Sequence, residues 1–134
     1  MSRFVANLRT LLNKHFVIRE EEMGEQVISV WQAIGLDLSV ERPLTIHLML
    51  PSEESAMELA FRAEGLPAFF SANVGQTAQM NGMTTELTLT FLMLPEAEAL
   101  DTLERLISAI GADLGAMADG WSADTAVTDA SRAA

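Results

Sequence analysis

The sequence predicts an α+β fold in which two helices pack on one face of a four-stranded antiparallel sheet. Three observations favour it. A strand pattern at 44–50 runs directly into a helix pattern, Asn81-Gly82 marks a hairpin between two further strands, and a second helix pattern precedes a short last strand. At 134 residues with 49% hydrophobic composition, the chain is long enough for one domain with one core.

The charge of the chain is unevenly distributed. The formal net charge is −11, yet residues 1–19 contain four basic residues and no acidic one. Residues 20–134 therefore hold the other 4 of 8 basic residues and all 19 acidic ones, a net charge of −15. An acidic body of this kind predicts no direct binding of nucleic acid. The basic segment is either a solvated face or an arm that docks on an acidic partner or on the protein's own acidic body.

Composition also limits the chemistry and the compartment. There are no cysteines, which excludes disulfides, thiolate metal sites and cysteine nucleophiles and fits a reducing compartment. The sequence shows no apolar run long enough for a membrane span and no secretory signal. We therefore expect a cytoplasmic protein.

Two helices are predicted before the first strand. Apolar residues recur at helical spacing from Phe4 to Phe16, which predicts a basic amphipathic helix within residues 1–19. A second helix is expected over 20–34, with Gly35 ending it and with an apolar stripe formed by Val27, Val30, Trp31 and Ile34. The basic, acid-free start also resembles an organelle transit peptide, which is the alternative for this segment.

The segment 44–50 alternates as a half-buried strand does. Leu44, Ile46, Leu48 and Leu50 share one face, and Thr45, His47 and Met49 share the other. Ser52 after this strand predicts an N-cap for a helix whose buried stripe is Ala56, Leu59, Ala60 and Ala63.

A hairpin is expected to pair residues 67–80 with 83–94. A two-residue turn at Asn81-Gly82 places Met80 opposite Met83. Counting outward, the apolar pairs are Val74 with Leu89, Ala72 with Phe91, and Phe70 with Met93. The alternate face then pairs Asn73 with Thr90, Ser71 with Leu92, and Phe69 with Leu94.

A second helix and a last strand complete the predicted domain. Pro95 opens the helix, Gly111 ends it, and a short strand follows at about 114–119. The order from residue 42 is then β-α-β-β-α-β, the ferredoxin-like pattern, with both helices on one face. The predicted organisation is a basic helix at 1–19, a single ferredoxin-like domain with its leading helix at 20–122, and a disordered tail at 123–134.

The second face of this sheet is predicted to be uncovered at one end. Its apolar residues include Phe69, Leu92 and Leu94, so we expect a cover formed by the N-terminal helices, by a second copy in a homodimer, or by a partner protein. These three residues are therefore candidate interaction residues.

No arrangement of residues in the sequence indicates catalysis. The chain lacks a phosphate-binding glycine loop and a His-Glu-x-x-His motif, and its two histidines cannot form a histidine-rich metal site. His47, in the middle of a strand, is either an acid/base or partner-contacting residue or a hydrogen-bonded surface histidine. We predict that the protein is not an enzyme and binds no metal or cofactor.

Two stretches of the sequence, "IGLDLSVERPLTIHLMLPSEESAMELA" at 34–60 and "MADGW" at 117–121, follow each other in an order that resembles the family of the regulator of ribonuclease E activity B. The first stretch is similar to the opening of that family. The second is similar to its closing Tyr-Asp-Gly-Trp, with Ala118 in place of the tyrosine. The matching residues of the first stretch are Gly35, Asp37, Leu38, Ser39, Arg42, Pro43, His47, Pro51, Ser52, Glu53 and Glu54. The resemblance covers residues 20–122.

This resemblance implies a ferredoxin-like sandwich that binds and inhibits ribonuclease E, or a related RNA-processing enzyme, without catalysis of its own. It makes Arg42, His47, Asp119 and Trp121 candidate interaction residues. For Trp121 two interpretations stay open: structural closure of the sheet, or part of a partner surface. The alternative function is a small-molecule-sensing regulatory domain, since fold alone does not decide function.

Overall fold

The computed structural model describes residues 24–80 and 83–123, with the side chains of 77–80 excepted. The predicted helix at 1–19, the turn at Asn81-Gly82 and residues 124–134 of the predicted tail lie outside the described residues. Within the described ranges the elements are α1 (Gly24–Ala33), β1 (Arg42–Leu50), α2 (Glu53–Ala63), β2 (Phe69–Met80), β3 (Met83–Met93), α3 (Ala97–Ile110), a 3₁₀ turn (Ala112–Leu114) and β4 (Met117–Ala123).

The strands form one four-stranded antiparallel sheet in the order β2-β3-β1-β4. The predicted α+β class with an antiparallel sheet is confirmed. β1 and β3 lie in the centre, and β2 and β4 are the two edges. Because all of β1 is paired with β3, from Arg42 opposite Met93 to Leu50 opposite Thr85, the alternate side chains of the two strands line two well-defined faces.

The core lies between one face of the sheet and helices α2 and α3. The two central strands contribute Leu44, Ile46, Leu48, Leu50, Leu87, Leu89, Phe91 and Met93, and the helices contribute Ala56, Leu59, Ala63, Leu100, Leu103, Leu106 and Ile107. All of these residues are at most 2% exposed. Of the stripe predicted for the helix after Ser52, Ala56, Leu59 and Ala63 are therefore buried and Ala60 is half-buried.

Helix α2 begins as predicted. The Ser52 hydroxyl accepts a hydrogen bond from the Ser55 N–H at 3.1 Å, which satisfies one of the donors that the first helical turn leaves free. Its buried stripe contains two alanines, which let the helix backbone approach the sheet closely.

Helix α1 differs from its predicted apolar stripe. Trp31 is buried and Val27 is half-buried, but Val30 and Ile34 are 59% and 57% exposed. The helix packs mainly against α3 through a narrower stripe that includes Gly24 and Ile28. A helix at the edge of a layer buries only the side that faces its neighbour, so half of the predicted stripe faces solvent.

The predicted register of the hairpin is wrong by two residues. Met80 lies opposite Met83 as expected, but Gln76 lies opposite Thr85, so three residues of β2 face one residue of β3 near the hairpin tip. From there Val74 pairs with Leu87 and Ala72 with Leu89. Because the shift is even, Val74 keeps its predicted side and packs against the core.

A one-residue bulge reverses the predicted sides of Phe69 and Phe70. Phe69 pairs with Phe91 and Ser71 with Thr90, so Phe70 is an extra residue in β2. Phe69 therefore packs against the core, with its ring 5.8 Å from that of Phe91 and nearly perpendicular to it. Phe70 is 62% exposed. The prediction placed Phe70 in the core and Phe69 on the other face, since a period of two cannot anticipate a bulge.

Strand β4 starts and ends later than predicted. Residues 112–114 form the 3₁₀ turn, and Gly115 with a φ of +76° reverses the chain before Met117. The strand then continues through Trp121 to Ala123, where the prediction expected an exit. Among the described residues, no helix combines the length and the apolar character that crossing a membrane requires.

Candidate docking face of the sheet

The sheet has one face without helices among the described residues, and we call it the open face. Its members are the side chains that alternate with the core residues of each strand. They are Pro43, Thr45, His47 and Met49 of β1, Glu86, Thr88, Thr90 and Leu92 of β3, Phe70, Ser71 and Asn73 of β2, and Met117 and Ser122 of β4.

One end of the open face carries an apolar row that crosses three strands. Pro43 of β1 pairs with Leu92 of β3, and Phe70 of β2 lies in the bulge beside it. Pro43 is exposed, Leu92 is 43% exposed and Phe70 is 62% exposed. The bulge decides which phenylalanine is exposed, because regular alternation from Ser71 would place Phe70 on the helix side and Phe69 on the open side. Three exposed apolar residues on neighbouring strands indicate an interaction surface more than isolated ones do.

Next to the apolar row lies a band of hydroxyl groups. Thr45 and Thr90 share a hydrogen bond of 2.9 Å between their Oγ1 atoms across β1 and β3. Ser122 pairs with Thr45 on one side, and Ser71 pairs with Thr90 on the other. Threonine in neighbouring strands stabilises a solvated sheet face through such cross-strand pairs.

The centre of the open face contains a cluster of Ser122, His47 and Glu86, which we call the His47 cluster. The Nε2 atom of His47 lies 2.7 Å from Ser122 Oγ of β4, a hydrogen-bond distance. The other ring nitrogen, Nδ1, lies 3.5 Å from Glu86 Oε2 of β3. The side chains of His47 and Glu86 are 30% and 39% exposed. Water therefore weakens the attraction between them.

The His47 cluster has the residue types of a nucleophile, a base and an orienting acid. The Ser122–His47 contact has the length that proton transfer requires, but the 3.5 Å distance to Glu86 is longer than a strong hydrogen bond. Sequence reasoning found no base for any serine. Ser122 and His47 are 75 residues apart, and only the pairing of β4 with β1 brings them together. Within the described residues, no group of three or more His, Asp or Glu side chains could hold a metal ion.

The predicted interaction residues separate onto the two faces. His47 and Leu92 lie on the open face, whereas Phe69 packs against the core. Leu94 follows the last residue of β3 and is half-buried. The expectation that Phe69, Leu92 and Leu94 form one surface is therefore wrong, and Phe70 takes the place of Phe69.

Arg42 and Trp121 also lie on the helix side. Arg42 opens β1 and is 3% exposed, so it is not available to a partner as the structure stands. Trp121 pairs with the core residue Ile46 and packs, half-buried, against the core. Asp119 is the extra residue of a bulge in β4, between the partners of His47 and Leu48, and it is exposed. Gly120 beside it has a φ of +113°, which glycine adopts without strain.

Several residues of the stretch 34–60, on which the family resemblance rests, have structural roles. Gly35, with a φ of +90°, ends α1, and the Asp37 carboxylate accepts hydrogen bonds from the N–H and hydroxyl of Ser39 at 2.9 and 2.6 Å. This closes a turn in the loop before β1.

No family model and no curated protein matches the chain.

Proposed function

We propose that the protein is a non-catalytic regulator that binds a partner protein on the open face. The apolar row of Pro43, Leu92 and Phe70 is the observation that carries this proposal, because Leu92 and Phe70 are 43% and 62% exposed at one end of the sheet. Burying a phenylalanine or leucine side chain contributes roughly 1.5–3 kcal/mol. Two such side chains can therefore dominate the affinity of a docking surface.

The proposed surface has the composition of a protein-binding site. Its apolar end is bordered by the hydroxyls of Thr45, Thr90 and Ser71, and the His47 cluster lies farther along. An apolar centre with a polar border that can hydrogen-bond is common in such interfaces.

The proposal also includes a finer assignment of the fold within the α+β class. We assign the domain to the ferredoxin-like type, which the β-α-β-β-α-β order from residue 42 supports. The strand order β2-β3-β1-β4 supports this assignment as well, since β3 lies between β1 and β2 in the sheet. The partner we propose is ribonuclease E or a related RNA-processing enzyme of the cytoplasm. This rests on the motif resemblance at 34–60 and 117–121.

A direct binding measurement tests this function. Purified chain and purified ribonuclease E of the same organism are titrated by calorimetry, together with an assay of RNA cleavage. We expect a complex and inhibited cleavage. The double substitution Phe70→Ser with Leu92→Ser should weaken binding at least tenfold, which corresponds to about 1.4 kcal/mol.

The matched control is Val30→Ser on α1. Val30 is 59% exposed, close to the exposure of Phe70, but it lies in the helix layer. Binding should be unchanged in this variant. If ribonuclease E does not bind the wild-type chain, the partner assignment fails. Equal loss of binding in both variants would argue against the open face.

A second candidate function is hydrolysis or acyl transfer at Ser122, and the 2.7 Å contact with His47 favours it. Here His47 accepts the hydroxyl proton as Ser122 Oγ attacks the carbonyl carbon of an activated ester, and the alcohol leaves with that proton. Water, or a second alcohol in acyl transfer, then attacks the acyl-serine and restores the Ser122 hydroxyl. Release of p-nitrophenol from p-nitrophenyl acetate, lost in both Ser122→Ala and His47→Gln, would favour this candidate. If the wild-type protein releases p-nitrophenol no faster than buffer alone, this candidate fails and docking is the function that stands.

A further inference from the structure

The outer side of α2 presents a second exposed apolar surface, far from the sheet. Met57 and Phe61 are 58% and 71% exposed, and their spacing of four residues places them next to each other on the helix. They alternate with the buried stripe of Ala56, Leu59 and Ala63. The core therefore does not use these two large side chains.

Acidic side chains surround this apolar pair. Glu53, Glu54, Glu58 and Glu64 are exposed along the same helix. Together with Met57 and Phe61 they form a surface that we call the acidic ridge.

The one basic residue of α2 does not neutralise the acidic ridge. The Arg62 guanidinium donates hydrogen bonds to the Asp113 carboxylate and the Ile110 carbonyl, each at 2.7 Å, and to Glu58 at 3.0 Å. The Arg62 charge therefore pairs with one carboxylate of the ridge, that of Glu58, and with the Asp113 carboxylate beyond α3. Glu53, Glu54 and Glu64 keep the ridge strongly negative.

We propose that residues 1–19 of this chain dock on the acidic ridge as a basic amphipathic helix. This segment carries Arg3, Arg9, Lys14 and Arg19 and no acidic residue, and its apolar residues recur at helical spacing from Phe4 to Phe16. A basic amphipathic helix matches the ridge in both properties. Its apolar stripe covers Met57 and Phe61, and its cations face the glutamates.

The point at which the segment joins the domain favours the helix layer. Gly24 begins α1 and is buried, and its N–H donates a hydrogen bond to Asp101 Oδ1 of α3 at 2.7 Å. The chain thus enters the domain at α3, which packs next to α2, rather than at the open face. Only residues 20–23 separate the segment from α1. So short a connection raises the local concentration of the segment to about the millimolar range, which is enough for weak docking.

Charge decides between the two uncovered surfaces. The open face holds the carboxylate of Glu86, which lies 3.5 Å from His47 Nδ1, and Asp119 is exposed in the bulge of β4. The acidic ridge holds four glutamates around its apolar pair. Residues 1–19 are therefore matched better by the ridge, which leaves the open face free. This inference does not depend on the proposed function.

Paramagnetic labelling of the full chain tests the docking. Because the sequence has no cysteine, Ser2→Cys gives a single site for a nitroxide label. We expect the amide signals of residues 54–64 to lose intensity, while those of 86–92 on the open face keep it. The substitution pair Glu54→Lys with Phe61→Ser should restore the lost signals, and the control Val30→Ser should not.

Three outcomes would overturn the proposal. The first is loss of signal on the open face in place of α2, and the second is no selective loss anywhere in residues 24–123. The third is an equal loss when spin-labelled chain without isotopes is mixed with isotope-labelled chain without a nitroxide, because the contact is then between two molecules. Unchanged chemical shifts in β1 and β3 verify that each variant is folded.

Discussion

The two faces of the sheet are formed by the same strands but differ in burial. On the helix side, Leu87 and Leu89 are fully buried, whereas Thr88 between them is half-buried on the open face. One strand thus alternates between residues that hold the domain together and residues that remain available. The free energy of folding comes mainly from the first set, so the second can vary in chemistry at little cost in stability.

The largest difference between the faces should appear at neighbouring positions of β3. Leu89→Ala removes a fully buried side chain from the core between the sheet and the helices and should cost about 3 kcal/mol of unfolding free energy. Thr88→Ala removes a half-buried hydroxyl that donates to the Asn73 carbonyl at 3.3 Å, and should cost at most about 1 kcal/mol. Urea unfolding followed by circular dichroism measures both. Similar costs would contradict the division between the faces.

Trp121 should behave as a residue of the helix side. It is half-buried against the core, so Trp121→Ala should cost about 2 kcal/mol, less than the roughly 3–5 kcal/mol typical of a fully buried tryptophan. Thermal unfolding measures this change. A variant with an unchanged melting temperature that no longer binds the partner would instead place Trp121 in the docking surface.

A smaller effect is expected at the bulge of β4, where the backbone of Gly120 has a φ of +113°. Gly120→Ala should cost about 1 kcal/mol, because a side chain disfavours this conformation although no atom lies within 4 Å of the added Cβ. Gly75→Ala on the opposite edge is the matched control. Its Cβ also meets no atom within 4 Å and its φ is not in the strained range, so its stability should change little. Equal losses would show that the bulge is not the cause.

The smallest effect concerns the ion pair between α2 and the 3₁₀ turn. The hydrogen bond from Arg62 lowers the pKa of the Asp113 carboxyl below its ordinary value of 3.8. Its contribution to stability is therefore fully present above that value and is lost as the pH falls through the lower pKa of the folded state. Asp113→Asn should be slightly less stable than wild type at neutral pH, and the two should converge in acid. A difference that persists in strong acid would show that charge is not its source.

Local patterns in the sequence predicted the elements and most of the core. Alternation from Leu44 to Leu50 and the cap at Ser52 depend on neighbouring residues, so they can be recognised without knowledge of the fold. The register of β2 could not be predicted beyond its first pair. Its two irregularities insert residues without any mark in the sequence pattern, and they decide where Phe69 and Phe70 lie.

The candidate site was predicted less well for a similar reason. His47 and Leu92 could be assigned to one face from the strand pattern alone, but Ser122 reached His47 only because β4 extends farther than predicted. Contacts between distant segments depend on strand pairing, and no property of either segment alone reveals them. The exposure of Val30 and Ile34 likewise depends on where α1 meets α3.

The bulge at Phe70 allows the exposed surface to change while the core residues stay in place. A substitution on the open face changes one side chain, but a bulge changes the sequence parity of every residue beyond it. Deleting the single residue Phe70 would let Phe69 and Ser71 follow each other in regular alternation, and an aromatic ring would leave the apolar row without any loss from the core. Insertion or deletion of one residue at this position is therefore a route by which such a domain can gain or lose an exposed aromatic side chain on this surface.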